Sequence, residues 1–104
     1  MQSKAFLNLW NERPDLRGRV FAINNNSENA IKGALNKAMG VLAGVSDMGF
    51  LASNGRVIWI EWKTPVGSQS SDQIAWQRTA QSLDHIYVIV RSEIEFRQVI
   101  KLYE

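Results

Sequence analysis

"GVSDMGFLASNGRVIWIEWK" (residues 44–63) decides how this chain folds. Its second half contains Val57-Ile58-Trp59-Ile60, apolar on both faces, as a central strand covered from both sides must be. Ser53-Asn54-Gly55, in the middle, is hairpin-turn chemistry. The apolar run ends in Glu61-Trp62-Lys63. Strand geometry sets Glu61 and Lys63 on one face, roughly 6–7 Å apart. A carboxylate and an ammonium at the end of so apolar a strand are either a surface ion pair or part of a site.

The length of the turn chooses between these. If Ser53–Gly55 is a three-residue loop, Ala52 pairs with Arg56, and Asp47 falls opposite Glu61 on the same face, about 4.5–5.5 Å away. A two-residue Asn-Gly turn would set Asp47 against Trp62, on the other side of the sheet. The first register gathers Asp47, Glu61 and Lys63. Two carboxylates that close repel each other unless a cation lies between them. Oxygen donors suit a hard divalent cation, and Mg²⁺ takes few carboxylates and keeps several waters. Such an ion activates water and stabilises charge on a phosphoryl oxygen. Lys63 would orient that water or hold that charge, and the backbone carbonyl of Trp62 can point at the metal.

Outward from the hairpin, the periodicity predicts a helix over residues 3–11 with Phe6, Leu9 and Trp10 as its apolar stripe. A strand follows over 19–24. A helix over 28–39 is capped by Ser27 and turns Ala30, Ile31, Ala34, Leu35, Ala38 and Met39 inward, ending at Gly40. The hairpin strands span 46–52 and 56–63. Ser70-Ser71-Asp72-Gln73 fits a capping box that opens a helix to about Leu83. Its buried stripe is Ala75, Trp76, Thr79, Ala80 and Leu83, with Gln73, Gln77 and Gln81 along a polar edge. "HIYVIV" is a buried strand entered at His85. Ser92 and Glu95 form a second capping box, before a helix that buries Phe96, Val99, Ile100 and Tyr103. Trp10, Trp59 and Trp76 belong to the core, and Trp62 packs under the helices or at a dimer contact. The order α-β-α-β-β-α-β-α is an α/β fold, a mixed sheet flanked by helices, as one domain over 1–104.

Composition removes whole classes of function. With no cysteine in 104 residues, disulfides, thiolate zinc sites and cysteine nucleophiles are excluded. One histidine, His85, is too few for a His-rich metal centre. The net charge of +2 is compatible with a polyanionic partner without requiring one. No run is long enough to span a membrane and no signal-peptide pattern opens the chain, which leads to the expectation of a cytoplasmic protein.

Asp47 and "IEWK" make D-x13-E-x-K. The wider strings are "GVLAGVSDMGFL", "IEWKTPVGSQSSDQIAWQ" and "YVIVRSEIEF", with a Gly-x-x-Asp approach and a K-x-x-x-G-x-x-S-x-x-Q run. Over residues 19–100 the chain resembles the VRR-NUC branch of the PD-(D/E)xK nucleases in its small stand-alone form. The resemblance implies a restriction-endonuclease-like αβββαβ core. It also implies Mg²⁺- or Mn²⁺-dependent cleavage of DNA, selective for branched or junction structures and leaving 5′-phosphates. The implied assembly is a homodimer, working in the cytoplasm of a bacterial or phage-infected cell. Carried onto this chain, Asp47 and Glu61 are metal ligands with the Trp62 carbonyl, Lys63 is the catalytic lysine, and Gln73 supports the site or contacts phosphate. DNA backbone would meet Lys32, Lys37, Ser70 and Arg78, with Arg56 and the Asn24 to Asn26 loop as further candidates.

In one respect the chain departs from the family, which commonly has a glutamate in its first helix. Here that helix offers Gln2, Ser3 and Lys4, with Glu12 at its far end, so one metal or two stays open. A non-cleaving nucleic-acid-binding module on the same fold, and a structural domain in which Asp47, Glu61 and Lys63 form an ion-pair network, are the competing readings.

Overall fold

The computed structural model describes residues 1–24 and 30–104. Its elements are α1 (Gln2–Glu12), β1 (Val20–Ala22), α2 (Ala30–Ala38), β2 (Met48–Leu51), β3 (Val57–Trp62), α3 (Ser71–Ser82), β4 (Ile86–Val90) and α4 (Glu93–Tyr103). The order is the one expected from the sequence, with shorter strands. The Ser27 cap, the start of α2 at Glu28, and Asn25 and Asn26 lie outside the described residues. No helix among the described residues is long and apolar enough to cross a membrane.

The sheet order is β1-β2-β3-β4, with the first two pairings antiparallel and β3–β4 parallel. Parallel neighbours need a crossover, and α3 supplies it. The turn at Ser53–Gly55 is the three-residue form. Asn54 (φ 63°) and Gly55 (φ 71°) take left-handed conformations, and the Ala52 N–H donates to the Arg56 carbonyl at 2.9 Å. The register Met48↔Ile60, Phe50↔Ile58 and Leu51↔Val57 follows. Alternation then divides the side chains. Met48, Phe50, Ile58, Ile60, Trp62 and Val90 point to one face and are sealed by Ala5 and Leu9 of α1 and Phe96 and Ile100 of α4. Trp62 lies against Phe96, with ring centroids 5.2 Å apart.

The other face carries Asp47, Trp59, Glu61 and Lys63, and α3 lies over it. Trp59 meets Trp76 edge-on at 5.5 Å, and Trp76 leans on Tyr87 at 5.9 Å. Here the structure corrects the expected stripe of α3. Ala75 and Thr79 are exposed and Leu83 is 67% exposed, while Gln73, Trp76, Gln77 and Ala80 turn to the sheet. A helix that covers charged strand residues must bring polar partners. Gln73 and Gln77 therefore belong to the inner side, and Gln81 alone stays on the outer polar edge.

Three smaller expectations are also corrected. In α1 the buried pair is Ala5 and Leu9, and Trp10 is 41% exposed beneath the Arg17 guanidinium, 4.9 Å away. In α2 none of the expected inward residues is buried. At α4, Ser92 caps the Glu95 N–H at 3.1 Å, but Glu95 returns its carboxylate to the Arg91 N–H at 2.6 Å rather than to Ser92, so the box is open by one residue.

Candidate active site

One step beyond Met48↔Ile60 the register sets Asp47 against Glu61. β1 fixes the Asp47 backbone, whose carbonyl accepts from the Ile23 N–H at 2.8 Å. The Asp47 side chain reaches across to β3 and accepts the Trp62 N–H on Oδ2 at 2.7 Å. Consecutive strand residues aim their backbone groups to alternate sides. Lys63 donates its N–H to Val90 at 3.0 Å, on the β4 side. Trp62 therefore directs its N–H and its carbonyl to the Asp47 side.

Glu61 is 1% exposed. Its Oε2 accepts from Gln73 Nε2 at 2.9 Å and lies 3.5 Å from Lys63 Nζ. Its Oε1 is buried and has no hydrogen-bond partner among the described residues. Burial first, and the neighbouring Asp47 charge second, push the Glu61 carboxyl up from 4.5 to about 7, against the pull of Lys63. Lys63 Nζ is held closer by Gln73 Oε1, at 2.6 Å, than by Glu61. Gln73 thus makes three contacts at once, because the same Oε1 accepts the Ser70 N–H at 2.9 Å and closes the capping box. The first turn of α3 and the Lys63 ammonium are tied by one amide.

Two backbone features place that turn. At Gly44 (φ +90°) a Cβ would meet the Asp72 carbonyl oxygen at 2.3 Å and the Gln73 nitrogen at 2.9 Å. The segment leading to Asp47 therefore packs backbone to backbone on the start of α3. Arg91 Nη1 donates to the Thr64 and Gly67 carbonyls at 2.8 and 2.7 Å, pinning the loop between Lys63 and Ser70.

Sequence reasoning missed a polar layer beside Glu61. Gln69 Nε2 donates to Gln77 Oε1 at 2.8 Å and to the Tyr87 hydroxyl at 3.2 Å. Tyr87 is pushed up to about 12, mainly by burial and then by the Glu61 charge. The available signal was Gln73, Trp76, Gln77 and Ala80 at i, i+3, i+4 and i+7.

Of the expected DNA-facing residues, Ser70 caps α3 beside the site, Lys37 shares a cleft with Asp72, and Lys32 and Arg78 are exposed on α2 and α3. Arg56 lies at the opposite end of β3, over the Tyr103 ring. Glu12 is bonded to Arg97 at 2.6 Å on the α1–α4 surface and stands apart from the site. Among the described residues no group of three or more His, Asp or Glu side chains is placed to hold a metal. The oxygen donors on the Asp47 side of the hairpin are the Asp47 and Glu61 carboxylates and the Trp62 carbonyl. That set fits a hard divalent cation that keeps most of its waters.

A three-stranded antiparallel unit extended by a parallel strand through a helical crossover, with acid residues at the β2–β3 mouth, is a restriction-endonuclease-like core. More narrowly, the chain has the VRR-NUC fold, a nuclease-type fold. A solved structure described as a "VRR_NUC domain protein" matches it with a TM-score of 0.74, over 97% of this chain and 85% of that one, at 18% identity. No family model matches the sequence, and none of the curated proteins does.

Proposed function

We propose that the protein is a Mg²⁺- or Mn²⁺-dependent DNA endonuclease that hydrolyses phosphodiester bonds, selective for branched or junction DNA and leaving 5′-phosphates. Its place of work would be the cytoplasm of a bacterial or phage-infected cell, as a homodimer. The observation that carries the reading is the buried Glu61 carboxylate beside Asp47, whose Oε1 has no hydrogen-bond partner among the described residues. Asp47, Glu61 and the Trp62 carbonyl would hold the cation, which supplies Lewis-acid stabilisation of phosphoryl charge and a more acidic water.

The chain's own residues do the rest. Gln73 fixes the Lys63 ammonium, which neutralises charge developing on the phosphoryl oxygens or orients the attacking water. The N-terminus of α3 attracts the phosphate. Lys32, Lys37 and Arg78 meet the backbone on either side, a contact that salt weakens. The lack of a third carboxylate among the described residues favours a second reading, a module of the same fold that binds nucleic acid without cutting it.

Branched, flap and plain duplex DNA incubated with Mg²⁺, Mn²⁺ or EDTA separate the two. The nuclease reading expects metal-dependent cutting, strongest on branched substrates and lost in Asp47→Ala and Lys63→Ala. Salt-sensitive binding without cleavage in either metal would leave the module. Neither cleavage nor binding would sink both.

A further inference from the structure

We infer that Arg91 is a DNA-binding residue of this site: one edge of its guanidinium holds the loop after Lys63, and the other edge receives the phosphate next to the reacting one. The inference rests on the reading above, that DNA enters here; the residue and its phosphate are what the structure adds. One step beyond Trp62↔Val90, the parallel register sets Arg91 beside Lys63. Alternation turns it to the α3 side with Lys63, away from the core residue Val90. Its hydrogen bonds agree, since Nη1 donates to the Thr64 and Gly67 carbonyls in the loop that follows Lys63. Its own N–H is fixed by Glu95 Oε1 at 2.6 Å. The carboxyl ends of parallel strands are where open α/β sheets take their ligands.

The loop occupies only Nη1 of this guanidinium. Nε and Nη2 have no hydrogen-bond partner among the described residues. Nor are they enclosed, because the one buried side-chain nitrogen or oxygen without a partner among those residues is Glu61 Oε1. No described carboxylate pairs with Arg91, whereas Arg13 is paired with Asp15 and Glu104, and Arg97 with Glu12. A neutral donor would pin the loop as well. A second cation beside the Lys63 ammonium is unfavourable until an anion meets both. The Nε–Nη2 edge matches two oxygens of a phosphate, a fork that lysine does not offer. Since Nη1 is already held by two carbonyls, the guanidinium plane is set in advance and little side-chain entropy is lost on binding. Asp47, then Glu61 with Lys63, then Arg91 stand at the ends of β2, β3 and β4, neighbouring strands about 4.8 Å apart. A DNA strand laid across these ends brings its reacting phosphate to the carboxylates and Lys63, and the next phosphate to Arg91.

The test is equilibrium binding of fluorescent branched DNA in EDTA, over about 50 to 200 mM salt, and needs no catalysis. Arg91→Gln should weaken binding about tenfold and reduce the slope of log affinity against log salt by about 0.9, the share of one phosphate. Arg91→Lys should keep the slope and lose affinity several-fold, because the charge stays and the fork goes. Arg97→Gln, which removes the same charge on the α1–α4 surface, should change neither. An uncharged methylphosphonate, walked along the DNA, should weaken wild-type binding at each contacted phosphate, and Arg91→Gln should lose that sensitivity at a single one. An unchanged salt slope, or an unchanged methylphosphonate series, reduces Arg91 to a loop pin and overturns the inference. If Arg91→Gln does not fold, Arg91→Lys decides: a smaller methylphosphonate penalty at one phosphate supports the contact, and an unchanged series overturns it. A wild-type chain that binds no DNA overturns the inference together with the nuclease. Binding with these signatures but no cleavage in Mg²⁺ or Mn²⁺ supports Arg91 and counts against the nuclease alone. Cleavage with an unchanged slope counts against Arg91 alone.

Discussion

Glu61→Gln should make the metal-free protein more stable and its cation response disappear. The Glu61 carboxyl stands at about 7 in the folded chain, against 4.5 for the ordinary group. The folded state therefore holds this proton more tightly than the unfolded state does, and stability falls as pH rises from about 4.5 through about 7. Each pH unit is worth about 1.36 kcal/mol, so above neutrality the ionised side chain costs about 3 kcal/mol. Glutamine keeps the acceptor for Gln73 and carries no charge to desolvate. Allowing for relaxation, the substitution should gain about 2 kcal/mol at pH 8, roughly 10 °C in Tm for a domain of this size. Near pH 4 the two proteins should melt together, because Glu61 is then neutral in both states.

Divalent cations act in the opposite sense. They favour the ionised form, so Mg²⁺ or Mn²⁺ should raise the wild-type Tm at pH 8 and have little effect at pH 5. Glu61→Gln should show neither the cation response nor cleavage. Thermal melts in EDTA, Mg²⁺ and Mn²⁺ across this pH range measure all of it. A Glu61→Gln protein less stable than wild type at pH 8 without metal would refute the reasoning, as would one still stabilised by cation to the wild-type extent.

Two further pairs of substitutions separate support from chemistry. Gly44→Ala drives a methyl into the Asp72 carbonyl at a left-handed residue, and urea unfolding should show a loss of about 3 kcal/mol. Gly40→Ala, at the same φ but with nothing within 4 Å, should lose only about 1 kcal/mol. Ser70→Ala should cost about 1 kcal/mol as a lost N-cap and leave kcat largely intact. Gln73→Ala also releases Lys63 and Glu61, so kcat should fall by about 100-fold or more with KM for DNA little changed. Equal activity of the two variants would mean that Gln73 is only a cap.

The hairpin was legible because turn chemistry fixes register and register fixes which side chains share a face. Ser53-Asn54-Gly55 announces the hairpin but allows two registers, and the three-residue form the chain adopts is the one that brings Asp47 opposite Glu61. The capping residues Ser70 and Ser92 were legible because each acts within its own turn. The inner face of α3 was not. Hydrophobic periodicity assumes an apolar interior, and that assumption selects Ala75, Thr79 and Leu83 over Gln73 and Gln77. It fails where the sheet itself presents Glu61, Lys63 and Tyr87. The same assumption turned α2 the wrong way, since Ile31, Leu35 and Met39 face outward and none of its residues is buried.

The geometry also weighs against an ion-pair network as the purpose of this cluster. A network built for stability would satisfy its buried atoms, since an orphaned acceptor costs about 1–3 kcal/mol or more when charged. Here the ammonium sits 2.6 Å from an amide and 3.5 Å from the carboxylate it would neutralise. The second oxygen of Glu61 has no hydrogen-bond partner among the described residues, and Asp47 adds a like charge from across the hairpin. Replacing Glu61 by an apolar residue would relieve all three costs. The fold instead spends a glutamine, a close-packed glycine and a helix cap on holding the arrangement in place. Unfavourable electrostatics maintained by specific packing mark a candidate functional site rather than a stabilising network.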